Sequence, residues 1–259
     1  MTPSALDAAA LHLLAARRLR RPGPRLPEPS RPANLDDALA IQRRVALLLG
    51  EPIGGWKCSL PTAERKLVAP IYATAIDSVS PRAVPAVDGF ARIEPEVAFV
   101  LAKDLPRRST PYSETEVRAA VGETRLVLEL IGCRYADPGE LPFPEMLADG
   151  ANNYGLQVGP VVQGGLERAL AAFPLTIRAP AGAILARDGV HPDGHPLRPL
   201  VWLANWLGQG SAGWDQGLAA GQIVTTGSYA GALDVPFATP LTVTFGDLGA
   251  LEVMLLPAE

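Results

Sequence analysis

Apolar residues recur at helical spacing near the N-terminus, where Leu6, Leu11, Leu13, Leu14 and Leu19 fall within residues 4–21. That stripe predicts an amphipathic helix. Residues 22–32 form a proline- and arginine-rich linker that cannot be helical throughout. Asn34 then reads as an N-cap with Asp36 and Asp37 in the first turn, predicting a helix that runs to about Leu49 and stops at Gly50. From Pro52 onward the pattern shifts to short β-branched or alternating runs at 91–101, 126–131, 156–162, 175–178, 223–227, 241–245 and 251–256. Turn residues separate them, Asp188-Gly189 and Gly246-Asp247 among them. Two helices interrupt. One covers 113–123, with Ser113 and Glu116 at capping-box spacing. The other covers 196–207, with Pro196 at its first position and Gly208 at its end. The expected fold class is α+β: a mainly helical N-terminal section, residues 1–80, packed on a β-rich mixed-sheet body, residues 81–259.

Composition narrows this picture. The chain has 259 residues, 48% hydrophobic and 19% charged, enough for one large or two modest domains with a sizeable core. Gly 25 and Pro 26 together argue for many short elements and against a helical bundle. A net charge of -4 gives no electrostatic footprint for nucleic acid. No run approaches the length of a membrane span. The apolar stretch 8–16 precedes Arg17, Arg18, Arg20 and Arg21, the reverse of the order in a secretory signal. Cys58 and Cys133 supply neither a disulfide framework nor a zinc site, and two reduced thiols in a cytoplasmic protein are expected. Only three lysines, Lys57, Lys66 and Lys103, stand among 23 basic residues.

Candidate chemistry lies in carboxylates placed against the pattern. In a strand over 91–101, Glu94 and Glu96 project to the same face and repel unless a cation or protons sit between them. Glu129 lies inside Leu126-Val127-Leu128-Glu129-Leu130-Ile131, a run that otherwise reads as buried, and an unpaired buried carboxylate costs several kcal/mol. Convergence of the three would make a hard-oxygen site for Mg²⁺ or Mn²⁺. The alternative is a solvated face for Glu94 and Glu96 and an arginine partner for Glu129. Lys57, in Gly54-Gly55-Trp56-Lys57-Cys58, would by itself be read as a surface residue. His191 and His195 are four apart, but Pro192 and Gly194 between them exclude a shared helix face, and a capping or loop role suits His195.

Taken in order, Ala40-Ile41-Gln42, Gly55-Trp56-Lys57, 92–101 with Asp104-Leu105-Pro106, 128–134, Ala148-Asp149-Gly150-Ala151-Asn152, 194–197 with 201–204, and 221–228 give a pattern that spans nearly the whole chain. This pattern resembles the hydratase/decarboxylase branch of the fumarylacetoacetate hydrolase superfamily. The resemblance implies that superfamily's mixed-sheet body, one Mg²⁺ or Mn²⁺ on Glu94, Glu96 and Glu129, and a substrate-facing lysine at Lys57. It implies carboxylate binding by Thr226, Gly227 and Ser228. Asp149 is expected to orient Lys57 or a water. A lysine beside a divalent ion is expected to have a lowered pKa that suits proton transfer.

The implied activity is conjugate addition of water to a 2-hydroxydienoate or 2-oxo-enoate, giving a 4-hydroxy-2-oxo acid in aromatic meta-cleavage catabolism. The partners are a small 2-oxo or 2-hydroxy acid and, by the family, further copies of the chain in a homo-oligomer. Decarboxylation of a 2-oxo-3-enedioate is the alternative, followed by C–C hydrolysis of an acylpyruvate and by a non-catalytic partner subunit. Glu129-Leu130-Ile131-Gly132-Cys133-Arg134 stands where the C–C hydrolases carry a Trp-Ser-Ala-Arg-Asp-like stretch, which disfavours hydrolysis. Lys57-Cys58-Ser59-Leu60-Pro61 and Asn152-Asn153-Tyr154 depart from the usual hydratase pattern close to the expected substrate.

Overall fold

A computed structural model describes residues 1–139 and 141–258. Helix α1 (Pro3–Leu19) is capped by the Thr2 hydroxyl, and α2 (Leu35–Leu49) by the Asn34 side chain, which accepts from the Asp37 N–H at 2.9 Å. Gly50 ends α2 in the left-handed conformation that suits glycine. The two helices pack on each other and bury Leu13, Leu39, Ile41 and Val45.

The strands are β1 (Ile53–Cys58), β2 (Val68–Tyr72), β3 (Ile76–Asp77), β4 (Arg82–Val84), β5 (Ala91–Leu101), β6 (Val121–Ile131), β7 (Asn153–Val161), β8 (Ala172–Ala179), β9 (Gly182–Val190), β10 (Ile223–Thr225), β11 (Leu233–Val235), β12 (Pro240–Phe245) and β13 (Ala250–Pro257). Between them lie α3 (Glu114–Ala120), α4 (Phe143–Ala148) and α5 (Leu197–Gly208). An eight-stranded mixed sheet runs β2-β1-β10-β5-β6-β7-β3, with β11 also paired to β5. A five-stranded sheet runs β4-β13-β12-β8-β9.

The larger sheet curls, so that Ile71 of β2 meets Leu156 of β7 in a small apolar cluster with Ala98, Val127 and Ile223. Its other face, with Trp56, Val97, Phe99, Leu126 and Leu128, joins the main core against the helices and the second sheet. Residues 53–77 belong to the same sheet as β5–β7. The division expected at residue 80 therefore does not separate two packing units. The helical part ends at α2, and Lys57 rides on a central strand.

Two expected elements shift for identifiable reasons. The helix expected over 113–123 stops at Ala120, because β-branched Val121 leaves the helical conformation and opens β6, although the capping box of Ser113 and Glu116 is present. Asp188-Gly189 lies inside β9, and the β8–β9 hairpin turns instead at Pro180-Ala181. A β-carbon at residue 189 would sit 3.1 Å from Tyr229 Cβ, so Gly189 serves close packing of the strand.

Candidate active site

Strand periodicity and register assemble the site. Glu94 and Glu96 alternate with Ile93, Pro95 and Val97 on β5, so both carboxylates point to the concave face of the curled sheet. Glu94 stands directly opposite Glu129 in the antiparallel β5–β6 pair. Thr225 of β10 pairs with Ala98, and Lys57 of β1 pairs in parallel with Thr225, which brings all of them to the same face. Gly55 makes this last pairing possible, since a β-carbon there would lie 2.3 Å from the Ile223 carbonyl oxygen.

Ligand atoms of Glu94, Glu96 and Glu129 all lie within 4.8 Å of one another. Each of the two deeper carboxylates is held by one oxygen. Glu129 Oε1 accepts from Lys57 Nζ at 2.6 Å and from Asn153 Nδ2 at 2.8 Å, whereas its Oε2 is buried without a hydrogen-bond partner. Glu96 Oε2 accepts from the Thr225 hydroxyl and from the Gly227 N–H at 3.0 Å. An orphaned carboxylate oxygen facing two further carboxylates fits a hard divalent cation, and this donor set suits Mg²⁺ or Mn²⁺.

Electrostatics point the same way. Burial and then the Glu129 charge push Glu94 up to about 7, and burial with Glu129 and Glu94 pushes Glu96 up to about 8. Burial by itself would pull the Lys57 ammonium down, but Glu129, Glu94 and Glu96 outweigh it and hold the lysine above its usual value. The lowered lysine pKa expected from the sequence therefore has the opposite sign in the metal-free site, because three carboxylates face the amine.

Lys57 Nζ also donates to the Ala151 carbonyl at 3.1 Å. That carbonyl sits in an unusual turn, in which Gly150, Ala151 and Asn152 are left-handed in succession with φ of 84°, 53° and 59°. Asp149, which opens the turn, does not contact Lys57 directly. Its Oδ2 accepts from the Arg134 N–H at 2.9 Å, and its Oδ1 lies 3.6 Å from Arg134 Nε and 3.9 Å from Arg17 Nη2. It is the counter-charge of two guanidiniums and supports the turn from behind.

In the 226–228 segment the polar groups have partners within the chain. The Gly227 N–H is taken by Glu96, and the Ser228 hydroxyl donates to the carbonyls of Gly231 and Pro95. The buried Thr226 hydroxyl stands 3.4 Å from Nε2 of His191, whose Nδ1 accepts from the Asp193 N–H. That acceptor role places the proton of the neutral imidazole on Nε2. Burial holds His191 down to about 4. His195 Nδ1 accepts from the Leu197 N–H at the start of α5, a capping role. Sequence reasoning missed the grips supplied by Thr225 and Asn153. Period-two alternation puts Thr225 on the face of Ile223, and the β10–β5 register makes that the Glu96 face.

A cluster of three carboxylates, two of them buried, beside an ammonium inside a curled mixed sheet is a donor set that could hold a divalent ion. The chain is 30% identical over 240 residues to the 2-oxo-hept-4-ene-1,7-dioate hydratase of Escherichia coli, across 84% of this chain and 85% of that protein. It is 28% identical over 243 residues to the 2-keto-4-pentenoate hydratase of Paraburkholderia xenovorans (strain LB400), across 88% and 86%. In fold it is similar to the 4-oxalocrotonate decarboxylase from Pseudomonas putida G7 complexed with magnesium and adipate, with a TM-score of 0.74, 19% identity and 99% of each chain covered. No family model matches the chain. The chain belongs to the 2-keto-4-pentenoate hydratase/4-oxalocrotonate decarboxylase branch of the fumarylacetoacetate hydrolase superfamily.

Proposed function

We propose that the protein is a metal-dependent hydro-lyase that adds water to a 2-hydroxydienoate or 2-oxo-enoate, in the manner of its hydratase relatives in aromatic catabolism. The observation that carries this reading is the unpartnered Oε2 of Glu129, aimed with Glu94 and Glu96 at one point beside Lys57. Glu94, Glu96 and Glu129 would hold the ion. When bound, a divalent ion supplies Lewis-acid stabilisation of charge at the substrate's carboxylate and 2-oxygen.

The chain's own groups account for the rest. An ammonium has three N–H donors. Lys57 commits one to Glu129 and one to the Ala151 carbonyl, which leaves one to bind the substrate carboxylate or deliver a proton to carbon. Ketonisation of the dienol gives an α,β-unsaturated ketone. Water then adds at the far carbon, the double bond takes up the proton next to the ketone, and a 4-hydroxy-2-oxo acid results. Asn153 and Thr225 fix the two deeper carboxylates, and His191 orients the Thr226 hydroxyl. A homo-oligomer and a cytoplasmic location belong to the same reading. Among the described residues no helix is long and apolar enough to cross a membrane.

The test is a spectrophotometric assay with 2-hydroxypenta-2,4-dienoate, with and without Mg²⁺ or Mn²⁺, run beside a CO₂-release assay on a 2-oxo-3-enedioate. Metal-dependent loss of the dienol chromophore with a 4-hydroxy-2-oxo acid product is expected. CO₂ release with no hydration would replace the hydratase with the decarboxylase reading.

A further inference from the structure

Near the Gly150–Asn152 turn lies a second feature that the hydratase reading does not use, and Lys57 is not among the residues that line it. A cleft of about 610 Å³ opens between the end of α1, β3–β4 and the β6–α4 connection. Six arginines line it, at positions 17, 18, 20, 21, 82 and 134, against two acids, Glu51 and Asp77. Both acids are already engaged. Asp77 Oδ1 accepts from the Ser78 and Val79 N–H groups, and Glu51 accepts from the Thr74 hydroxyl.

The deepest arginines are under-compensated. Arg134 is buried, and Arg17 beside it keeps a buried Nε with no hydrogen-bond partner. They share a single carboxylate, Asp149, whose Oδ1 lies 3.6 and 3.9 Å from them, beyond hydrogen-bond distance, and has no other partner. Two guanidiniums on one carboxylate leave a net positive charge in a poorly solvated place. Burial, with Arg17 next to it, already draws Arg134 down to about 10. Each guanidinium also stands over an aromatic ring that lines the cleft, Arg17 over Tyr72 at 5.4 Å and Arg134 over Tyr154 at 5.3 Å. Arg20 and Arg21 project from the rim, exposed. A charge deficit at the base, fixed guanidiniums and a positive rim are what a small dianion needs.

We propose that this cleft binds a small dianion, a phosphate or a dicarboxylate, and that the bound anion braces the turn that holds Lys57. The connection is short. Arg17 Nη2 donates to the Asp149 carbonyl at 2.9 Å, and Arg134 donates to the carbonyl of Asn153. Both ends of the turn are thus tied to the cleft's arginines, while its middle carbonyl, that of Ala151, accepts from Lys57. The inference does not depend on which reaction the metal site performs.

The test uses the full chain, metal-free and again with Mg²⁺, titrated calorimetrically with inorganic phosphate and, separately, with succinate. Saturable binding of either anion that persists without metal is expected, and the anion that binds more tightly identifies the source. Arg17→Gln should weaken it about tenfold, the loss of one charge-assisted hydrogen bond. The exposed Arg20→Gln/Arg21→Gln pair, which leaves the turn untouched, should weaken it severalfold with no change in Tm in the absence of anion. Hydrogen exchange at the Ala151 and Asn153 amides should slow when the anion is bound. Absence of saturable binding by both anions, or equal binding by wild type and both variants, overturns the site. Unchanged exchange at those amides overturns the bracing. A dimer that dissociates in the rim variant, with no anion bound by wild type, assigns the cleft to a subunit contact and overturns the proposal.

Discussion

Metal binding should expel protons, because two of the three carboxylates that would hold the ion are raised toward neutrality in its absence. Glu94 is pushed up to about 7 and Glu96 to about 8. At about pH 6.5 those values leave roughly three quarters of a proton on Glu94 and nearly a whole one on Glu96, so between one and two protons should leave per ion bound. At about pH 8.5 the number should fall to roughly 0.3. Metal affinity should therefore climb tens of fold per pH unit near pH 6.5 and level off above about pH 8. Calorimetry of Mg²⁺ or Mn²⁺ binding in buffers of different ionisation enthalpy reads the proton count directly. A buffer-independent enthalpy at about pH 6.5 would refute the reasoning, since it would mean that the carboxylates are already ionised. The same shifts set the stability of the metal-free protein. The unfolded chain ionises its glutamates near their ordinary value of 4.5, before the folded one does. Stability is thus fully present below that value and is lost as pH rises through about 7 to 8. His191, held down to about 4, contributes the opposite slope only below the ordinary imidazole value of 6.5. The fall in Tm should therefore be measured from about pH 6.5 to 8.5, and saturating metal should abolish it.

Four substitutions probe individual contacts. Glu129→Gln should lower metal affinity and activity together while circular dichroism stays native, and full activity would remove Glu129 from the site. Lys57→Met should cost at least about a hundredfold in kcat and, in the metal-free protein, about 3 kcal/mol in denaturant unfolding, because it strips the buried counter-charge from Glu129. Asn153→Ala removes one of the two donors that turn Glu129 Oε2 toward the ion, and metal affinity should drop about tenfold by titration. Asp149→Ala leaves Arg17 and Arg134 without their carboxylate. It should lower unfolding free energy by about 3 kcal/mol while the kcat of the folded fraction stays near wild type; a selective loss of kcat would instead restore Asp149 to the chemistry.

The candidate carboxylate cluster is partly legible in the sequence because strand alternation is a local rule. Glu94 and Glu96 share a face by their spacing, and Glu129 betrays itself as a charge inside an apolar run. That Glu94 faces Glu129 depends on the register of β5 against β6, which no single segment carries. Lys57 was recognised only through the family pattern, since Gly54–Cys58 reads as a weak strand, and its place beside Thr225 comes from a parallel pairing across more than 160 residues. The surroundings of Asp149 are illegible for the same reason. Its partners Arg17 and Arg134 come from α1 and the segment after β6, and the chain gives no local sign that both converge on it. The turn at Pro180-Ala181 is hidden because Asp188-Gly189 is the stronger turn dipeptide, and β9 absorbs it as an exposed strand whose glycine admits Tyr229.

The three successive left-handed residues also bear on how this protein can be engineered for heat resistance. An alanine held at a φ of 53° and an asparagine at 59° each cost on the order of 1 kcal/mol that glycine would not. A search for stabilising changes guided by backbone strain would pick Ala151→Gly early. Yet the strained alanine is also the least floppy way to keep its carbonyl aimed at the amine. Glycine there would widen the range of carbonyl orientations as it relieved the strain, so thermal robustness and the fidelity of proton placement pull in opposite directions at this one residue.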